Sequence, residues 1–163
     1  MIVFISILSF LLDGILSRYI LPTTLFLPLF TIVSLVIIYP YFNNNNLKYF
    51  RYVAIIGLLY DITYLNTLFF NFFIFVMIGF IIGLFNYLLS NNLYTSTIIT
   101  VIAIILYRVI NYLFVVIFKN QPFDFMNLLE SIYSSLLLNI IYCIIIYITT
   151  ELYSKKHKIL RSK

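Results

Sequence analysis

The sequence is poor in charge and in the residues that most often carry metal and redox chemistry. Only 9% of its 163 residues are charged, and it has one cysteine (Cys143), one histidine (His157) and no tryptophan. A single cysteine excludes an intramolecular disulfide and a cysteine-based metal site. We interpret His157 as a solvated residue of a basic tail. Soluble domains contain about 25% charged residues, so a chain with so little charge is not expected to fold as a soluble domain.

Apolar side chains make up most of the chain instead. Hydrophobic residues account for 64% of the sequence, and the mean hydropathy is +1.11. Residues 19–47, 62–107 and 131–150 contain no charge, and about 20 apolar residues suffice for one transmembrane helix. The apolar runs are continuous, as in 72–78, whereas β-barrel strands alternate apolar and polar residues. The sequence therefore predicts an all-α integral membrane protein, with six transmembrane helices in a compact bundle.

The six predicted spans follow one another with short connections. Their predicted bounds are 2–20, 23–42, 49–65, 68–89, 93–118 and 131–153, with Pro22 before the second span and Pro28 inside its first turns. The first segment lacks a basic start and a small-residue cleavage site, so we expect it to be a retained span and not a signal peptide. This gives a transmembrane domain over 1–153 and a basic cytoplasmic tail over 154–163.

Lysine and arginine near the span ends predict the orientation, because they favour the cytoplasmic side. With six spans, the loop at 43–51 and the tail share one side. That side carries Lys48, Arg51, Lys155, Lys156, Lys158, Arg161 and Lys163, and the other carries Arg18 and Lys119. Both termini are therefore predicted to be cytoplasmic, and the tail is expected to meet anionic lipid headgroups and not nucleic acid. A five-span alternative, with the weak third segment on the surface, fits the charges less well.

Four charged side chains inside the predicted spans need an explanation: Asp13, Arg18, Asp61 and Arg108. Arg18 lies at the outer end of the first span, where its side chain can reach the lipid headgroups. Arg108 lies about 15 Å from the nearer end of its span, at 1.5 Å per residue. An isolated arginine at mid-bilayer costs at least about 2.5–3.5 kcal/mol. We therefore expect Arg108 to face protein and to form an intramembrane ion pair with Asp13, with Asp61 as the second choice. Such a pair either stabilises the bundle or helps to bind a partner or substrate.

Small residues mark two helix faces. Gly79 and Gly83, in the stretch GFIIG, lie on one face of the fourth segment and permit close approach of another helix. Gly57 lies one turn before Asp61 on the third segment. These four residues are candidates for helix packing or for partner binding, and the sequence leaves both uses open.

Motifs for catalysis and for cofactor binding are missing. The sequence has no HExxH zinc motif, no glycine-rich phosphate loop and no haem ligand pair. Asp124 and Glu130 are interpreted as the solvated start of the last helix, which Asp124 is placed to cap. We therefore expect a protein that is not an enzyme and that has no cofactor or metal.

The stretch IIGLLYDITYLNTLFFNFFIFVMIGFIIGLF at 55–85 resembles the family of the rod shape-determining membrane protein MreD. Gly57 and Asp61 match the G-x-x-x-D element that ends the third span in that family, and residues 63–67 match its polar turn. Gly79 and Gly83 match the glycines of the following helix.

Further similarities are the prolines at the second span and the stretch SLLLNIIYCIIIYI at 135–148 before a basic tail. The resemblance covers most of the chain in layout. One departure is at Phe69 and Phe70, since the family often has a glycine soon after the turn.

This resemblance implies a non-enzymatic scaffold of the bacterial cell-elongation machinery in the plasma membrane. Such a protein binds MreC and helps to couple MreB filaments to the lipid-linked wall synthases. The alternative is the substrate-binding membrane subunit of an energy-coupling-factor vitamin transporter, which also has six helices. Those subunits usually carry an alanine-spaced motif in the first span, but the only alanines here are Ala54 and Ala103. The scaffold is therefore favoured.

Overall fold

The computed structural model describes residues 2–17, 28–42, 45–65, 69–118 and 122–156, and within these ranges it is helical with no strand. Its α-helices are α1 (Ile2–Ile15), α2 (Phe30–Ile38), α3 (Asn46–Tyr60), α4 (Phe70–Leu88), α5 (Leu93–Phe118) and α6 (Phe125–Lys156). A 3₁₀ turn, Tyr39–Phe42, extends α2, and a π-helical segment, Asp61–Leu65, extends α3. The predicted all-α class is confirmed.

Three of these helices, α4, α5 and α6, are long and apolar enough to cross a membrane, while α1 and α2 with its 3₁₀ extension are shorter apolar helices. Large apolar side chains also remain exposed on the outer faces, among them Phe4 at 70% and Phe73 at 64%. Such a surface suits lipid and would be a liability in water. The chain is therefore a membrane protein, and the six-span arrangement with both termini cytoplasmic stays a prediction.

Two helix starts differ most from the sequence prediction, those of α2 and α6. Pro28 precedes α2 instead of lying in its first turns, because the helix begins only at Phe30. In contrast, α6 begins at Phe125, before the predicted start at 131. Its first three residues, Phe125, Met126 and Asn127, are exposed, and the Asp124 carboxylate accepts the Met126 N–H at 2.9 Å, as predicted for a cap. Arg18, Pro22, the turn at 66–67, Lys119 and His157 lie outside the described residues.

The core is organised around α2. Every residue from Phe30 to Ile38 is buried, and α2 contacts α1, α4, α5 and α6. Apart from Thr31 and Ser34 the residues of α2 are apolar, and a helix that is apolar on nearly all sides is expected to be enclosed by others. The neighbours α3 and α4, and likewise α5 and α6, pack against each other. Because α2 starts inside the protein, its first backbone N–H groups need partners that water cannot supply.

Candidate functional site: two capped helix starts and a cavity with a buried arginine

Asp13, near the end of α1, supplies those partners for α2. Its Oδ1 accepts the Phe30 N–H at 2.6 Å. Its Oδ2 accepts the Thr31 N–H at 2.9 Å and the Thr31 hydroxyl at 2.5 Å. The first N–H groups of a helix have no partner within the helix, and the partial positive charge at this end stabilises an anion. The carboxylate of α1 therefore caps the helix that follows it.

Asn139 on α6 completes the same helix start. Its Oδ1 accepts the Leu29 N–H at 2.8 Å, and its Nδ2 donates to the Ser135 carbonyl at 2.6 Å. Asn139 is not among the residues predicted from the sequence. The signal was available, because this amide interrupts the apolar run 135–148, where an unpaired polar side chain would be costly.

Asp61 performs the corresponding role for α4. Its Oδ1 accepts the Asn71 N–H at 2.9 Å and the Asn71 side-chain amide at 3.0 Å. Its Oδ2 accepts the Phe72 N–H at 3.0 Å. The Tyr107 hydroxyl on α5 donates to Asn71 Oδ1 at 3.1 Å and so joins a third helix to the cap. Asp61 is 1% exposed, and its burial is tolerable because helix N–H groups surround the charge.

The two caps share one construction. In the pair α1–α2 and again in the pair α3–α4, an aspartate near the end of the first helix caps the start of the second. Asp61 also opens the π-helical segment Asp61–Leu65, and α1 continues into a π-helical turn at 16–17. Both carboxylates are thus committed to holding consecutive helices together.

The candidate glycines lie on contacts within the protein. A Cβ atom on Gly57 would lie 2.9 Å from the Phe72 Cα and 3.1 Å from the Asn71 carbonyl oxygen, so α3 meets the backbone of the capped turn here. At Gly79 a Cβ would lie 3.2 Å from Val53 Cγ1. At Gly83 the nearest atom, in the Tyr39 ring, would be 3.5 Å away, which is ordinary contact. Gly57 and Gly79 therefore lie where a neighbouring helix packs so closely that a side chain would be crowded.

Arg108 does not contact either aspartate. Its Nε donates to the Ser135 hydroxyl at 2.6 Å. Within the described ranges, the only ion pair with N and O within 4.0 Å joins Lys155 to Glu151 on α6. The predicted contact pair between Arg108 and Asp13 is therefore not formed, because the Asp13 oxygens are bound by the first turn of α2. Arg108 and Asp13 instead line the same cavity, where their charges attract each other.

This cavity has a volume of about 650 Å³ and lies where α1, α3 and α5 meet in front of α2. Its wall is partly polar and partly apolar. It is lined by Leu11, Asp13, Gly14, Ile15, Ser17, Pro28, Leu29, Tyr60, Thr63, Tyr64, Tyr107, Arg108 and Asn111. Among the residues that the structure describes, no group of three or more His, Cys, Asp or Glu side chains could hold a metal ion.

Comparison with known proteins identifies the chain at the level of its family. The family model described as rod shape-determining protein MreD matches residues 1–157. Comparison with curated proteins and with solved structures gave no match. The family description names a structural determinant of cell shape and not an enzyme, which agrees with the apolar helices and with carboxylates committed to helix caps. The chain therefore belongs to the MreD family of rod shape-determining membrane proteins.

Proposed function

We propose that this protein is a non-enzymatic, multi-pass scaffold of the bacterial plasma membrane that serves the cell-elongation machinery. It binds an MreC-like protein and couples MreB filaments, directly or indirectly, to the lipid-linked synthases of the cell wall. The observation that carries the proposal is the family match over residues 1–157. A match of this extent covers all six described helices, so the proposal applies to the whole membrane domain.

The internal polar groups support a scaffold. Asp13 and Asp61 each accept hydrogen bonds from the first turn of a neighbouring helix, so these carboxylates hold the fold and are not free for acid–base chemistry. The glycines at 57 and 79 bring helices into close contact. Helices joined by buried caps and by close glycine contacts suit a protein whose task is to hold partner helices in place.

Co-purification tests the proposal. The full chain, tagged at either end, is purified from its host in a mild detergent, and its partners are identified by mass spectrometry. We expect the MreC-like protein to be recovered in near-stoichiometric amount together with wall synthases. A tagged, unrelated multi-pass protein from the same membrane is the control for nonspecific capture. Recovery of a coupling-factor ATPase pair without the MreC-like protein would instead establish the transporter subunit and overturn the scaffold.

Depletion provides an independent functional test. Rod-shaped host cells that lose this protein are expected to become round, and expression of the wild-type chain is expected to restore the rods. Asp61→Ala should fail to restore them in proportion to its loss of folded protein, because Asp61 holds α3 to α4. Rods that persist without the protein would contradict a role in elongation.

A further inference from the structure

We infer that the cavity between α1, α3 and α5 is a binding site for an oxyanion, a phosphate or carboxylate group, and that Arg108 is the residue that holds it. This inference is independent of the proposed scaffold role. It rests on the hydrogen bonds that Arg108 lacks, on the commitment of Asp13 elsewhere, and on the composition of the cavity wall.

Arg108 has unused donors facing the cavity. A guanidinium carries five N–H groups in a planar fork, and one of them, on Nε, donates to Ser135. In the described part of the chain, the terminal nitrogens of Arg108 have no hydrogen-bond partner, while the side chain lines the cavity. Arg108 also lies about 15 Å from the end of α5, at 1.5 Å per residue. A charge at this depth requires a partner, and the fork matches the paired oxygens of a carboxylate or phosphate.

Asp13 does not fill this role at contact distance. Its two oxygens accept three hydrogen bonds from Phe30 and Thr31, and its negative charge is offset by the amino end of α2. The attraction between Asp13 and Arg108 across the cavity remains, but it leaves the terminal nitrogens of the guanidinium available. The Arg108 guanidinium therefore lies at the cavity wall, while the carboxylate of Asp13, the nearby residue of opposite charge, is hydrogen-bonded to the start of α2.

The other residues that line the cavity indicate what the rest of the ligand is like. The Tyr60 hydroxyl has no hydrogen-bond partner among the described residues, and it lines the cavity together with Asn111. Leu11, Ile15 and Leu29 supply apolar surface beside these donors. A volume of about 650 Å³ is within the usual range for small-molecule sites. Donors next to apolar side chains favour an amphiphile, such as a lipid whose phosphate meets Arg108, over a free anion.

Lipid retention tests the site. The full chain is reconstituted in nanodiscs with equal parts of phosphatidylglycerol and phosphatidylcholine, released into mild detergent and examined by native mass spectrometry. We expect wild-type protein to retain phosphatidylglycerol selectively, and Arg108→Gln to lower that retention about tenfold, since a charge-assisted hydrogen bond is lost. Arg108→Lys should retain an intermediate amount of phosphatidylglycerol, because lysine keeps the positive charge but lacks the planar guanidinium that binds two oxygens at once. Arg51→Gln, at an exposed arginine of α3, is the matched control and should change nothing.

A second measurement separates a lipid from a free anion. Millimolar inorganic phosphate is added to delipidated protein in detergent, and the thermal midpoint is recorded. A midpoint that rises for wild type but not for Arg108→Gln shows that the oxyanion suffices without a tail. Selective retention of phosphatidylglycerol with no response to phosphate shows that the site takes a lipid phosphate. Either result supports the site.

Circular dichroism shows whether Arg108→Gln folds. If it does not fold, a second variant still tests the site. Ile15→Phe keeps Arg108 and narrows the cavity from a partly exposed position, so it should lower retention of phosphatidylglycerol as well. The inference is overturned if wild-type protein neither retains phosphatidylglycerol selectively nor responds to phosphate. It is also overturned if retention by Ile15→Phe and by folded Arg108→Gln equals that of wild type.

Discussion

The Asp61 carboxylate accepts the backbone N–H of Asn71 at 2.9 Å, and this hydrogen bond joins the end of α3 to the start of α4. The hydrocarbon region of a membrane offers no water to a free backbone N–H, so each must find a partner in the protein. A buried aspartate at this position supplies such a partner, and the helix end in turn stabilises its charge. Acidic residues in an apolar chain thus become structural where a helix begins inside the molecule.

Asp61→Ala is expected to destabilise the protein far more than Asp124→Ala. Loss of the Asp61 carboxylate leaves buried N–H groups unsatisfied, at about 1–3 kcal/mol for each group. The Asp124 cap of α6 is exposed, and water can replace it, so its loss should cost about 1 kcal/mol. Unfolding in increasing SDS, followed by circular dichroism, measures both. Equal losses for the two variants would contradict a buried cap at α4.

Thr31→Val tests the other cap with a nearly isosteric change. The Thr31 hydroxyl donates to Asp13 Oδ2, and hydrogen bonds to charged groups contribute about 1.5–3 kcal/mol. Thr149→Val is the control, because Thr149 is exposed and, among the described residues, its hydroxyl donates only to the Ile146 carbonyl of its own helix. Its effect should stay within about 0.5 kcal/mol. The same SDS titration applies, and a Thr31→Val loss no larger than that of the control would refute the contribution of the hydroxyl.

Sequence patterns were sufficient to locate the long apolar helices, because the hydropathy of a segment depends only on its own residues. The segments at 68–89 and 93–118 correspond closely to α4 and α5. The start of α6 was predicted too late, because the predicted span follows the charge-free run 131–150, which begins only after Glu130, although the helix continues through that residue. The start of α2 was placed too early, since apolar residues continue through Pro28 and Leu29 whether or not they are helical.

The partners of the buried charges could not be predicted from the sequence in the same way. The depth of Asp13, Asp61 and Arg108 in their spans predicts that they face protein, but not which atoms they meet. Asp13 accepts hydrogen bonds from backbone N–H groups of another helix. Every residue except proline has such a group, so the sequence does not indicate which one will be the partner. Charge complementarity therefore favoured an ion pair with Arg108 where the fold uses a helix cap. Asn139 was the one cap residue that a polar interruption of an apolar run could have revealed.

Phe69→Gly is expected to stabilise the protein. Phe69 precedes α4 with φ of 64°, in the left-handed region, which costs an L-residue roughly 1–2 kcal/mol. Its side chain is 52% exposed, so little burial is lost with the ring. Phe73→Gly, at an exposed position within α4, is the control. It should lower the free energy of unfolding by about 1 kcal/mol, because glycine has a low helix propensity. Unfolding in SDS should therefore shift in opposite directions for the two variants, and a shift in the same direction would show that Phe69 is not strained.

The predicted orientation can be checked by labelling cysteines in a Cys143→Ser background. Six spans place the loop at Ser90 in the cytoplasm and the loop at Pro122 outside, and both positions are exposed. A membrane-impermeant maleimide added to intact cells, with the outer membrane permeabilised where there is one, should label Pro122→Cys but not Ser90→Cys. Both should react after lysis. Labelling of Ser90→Cys in intact cells would reverse the orientation that the basic residues favour.

Gly57→Ala and Gly83→Ala are expected to differ in sign. At Gly57 a new methyl would lie 2.9 Å from the Phe72 Cα and 3.1 Å from the Asn71 carbonyl oxygen, and backbone atoms cannot move aside without separating α3 from the capped start of α4. We expect a loss of about 1–3 kcal/mol, as for other overpacked contacts. At Gly83 the nearest atom, in the Tyr39 ring, would be 3.5 Å away, so alanine should be neutral or should gain up to about 1 kcal/mol of helix propensity. Unfolding in SDS measures both, and a tolerated Gly57→Ala would disprove the close contact between α3 and α4.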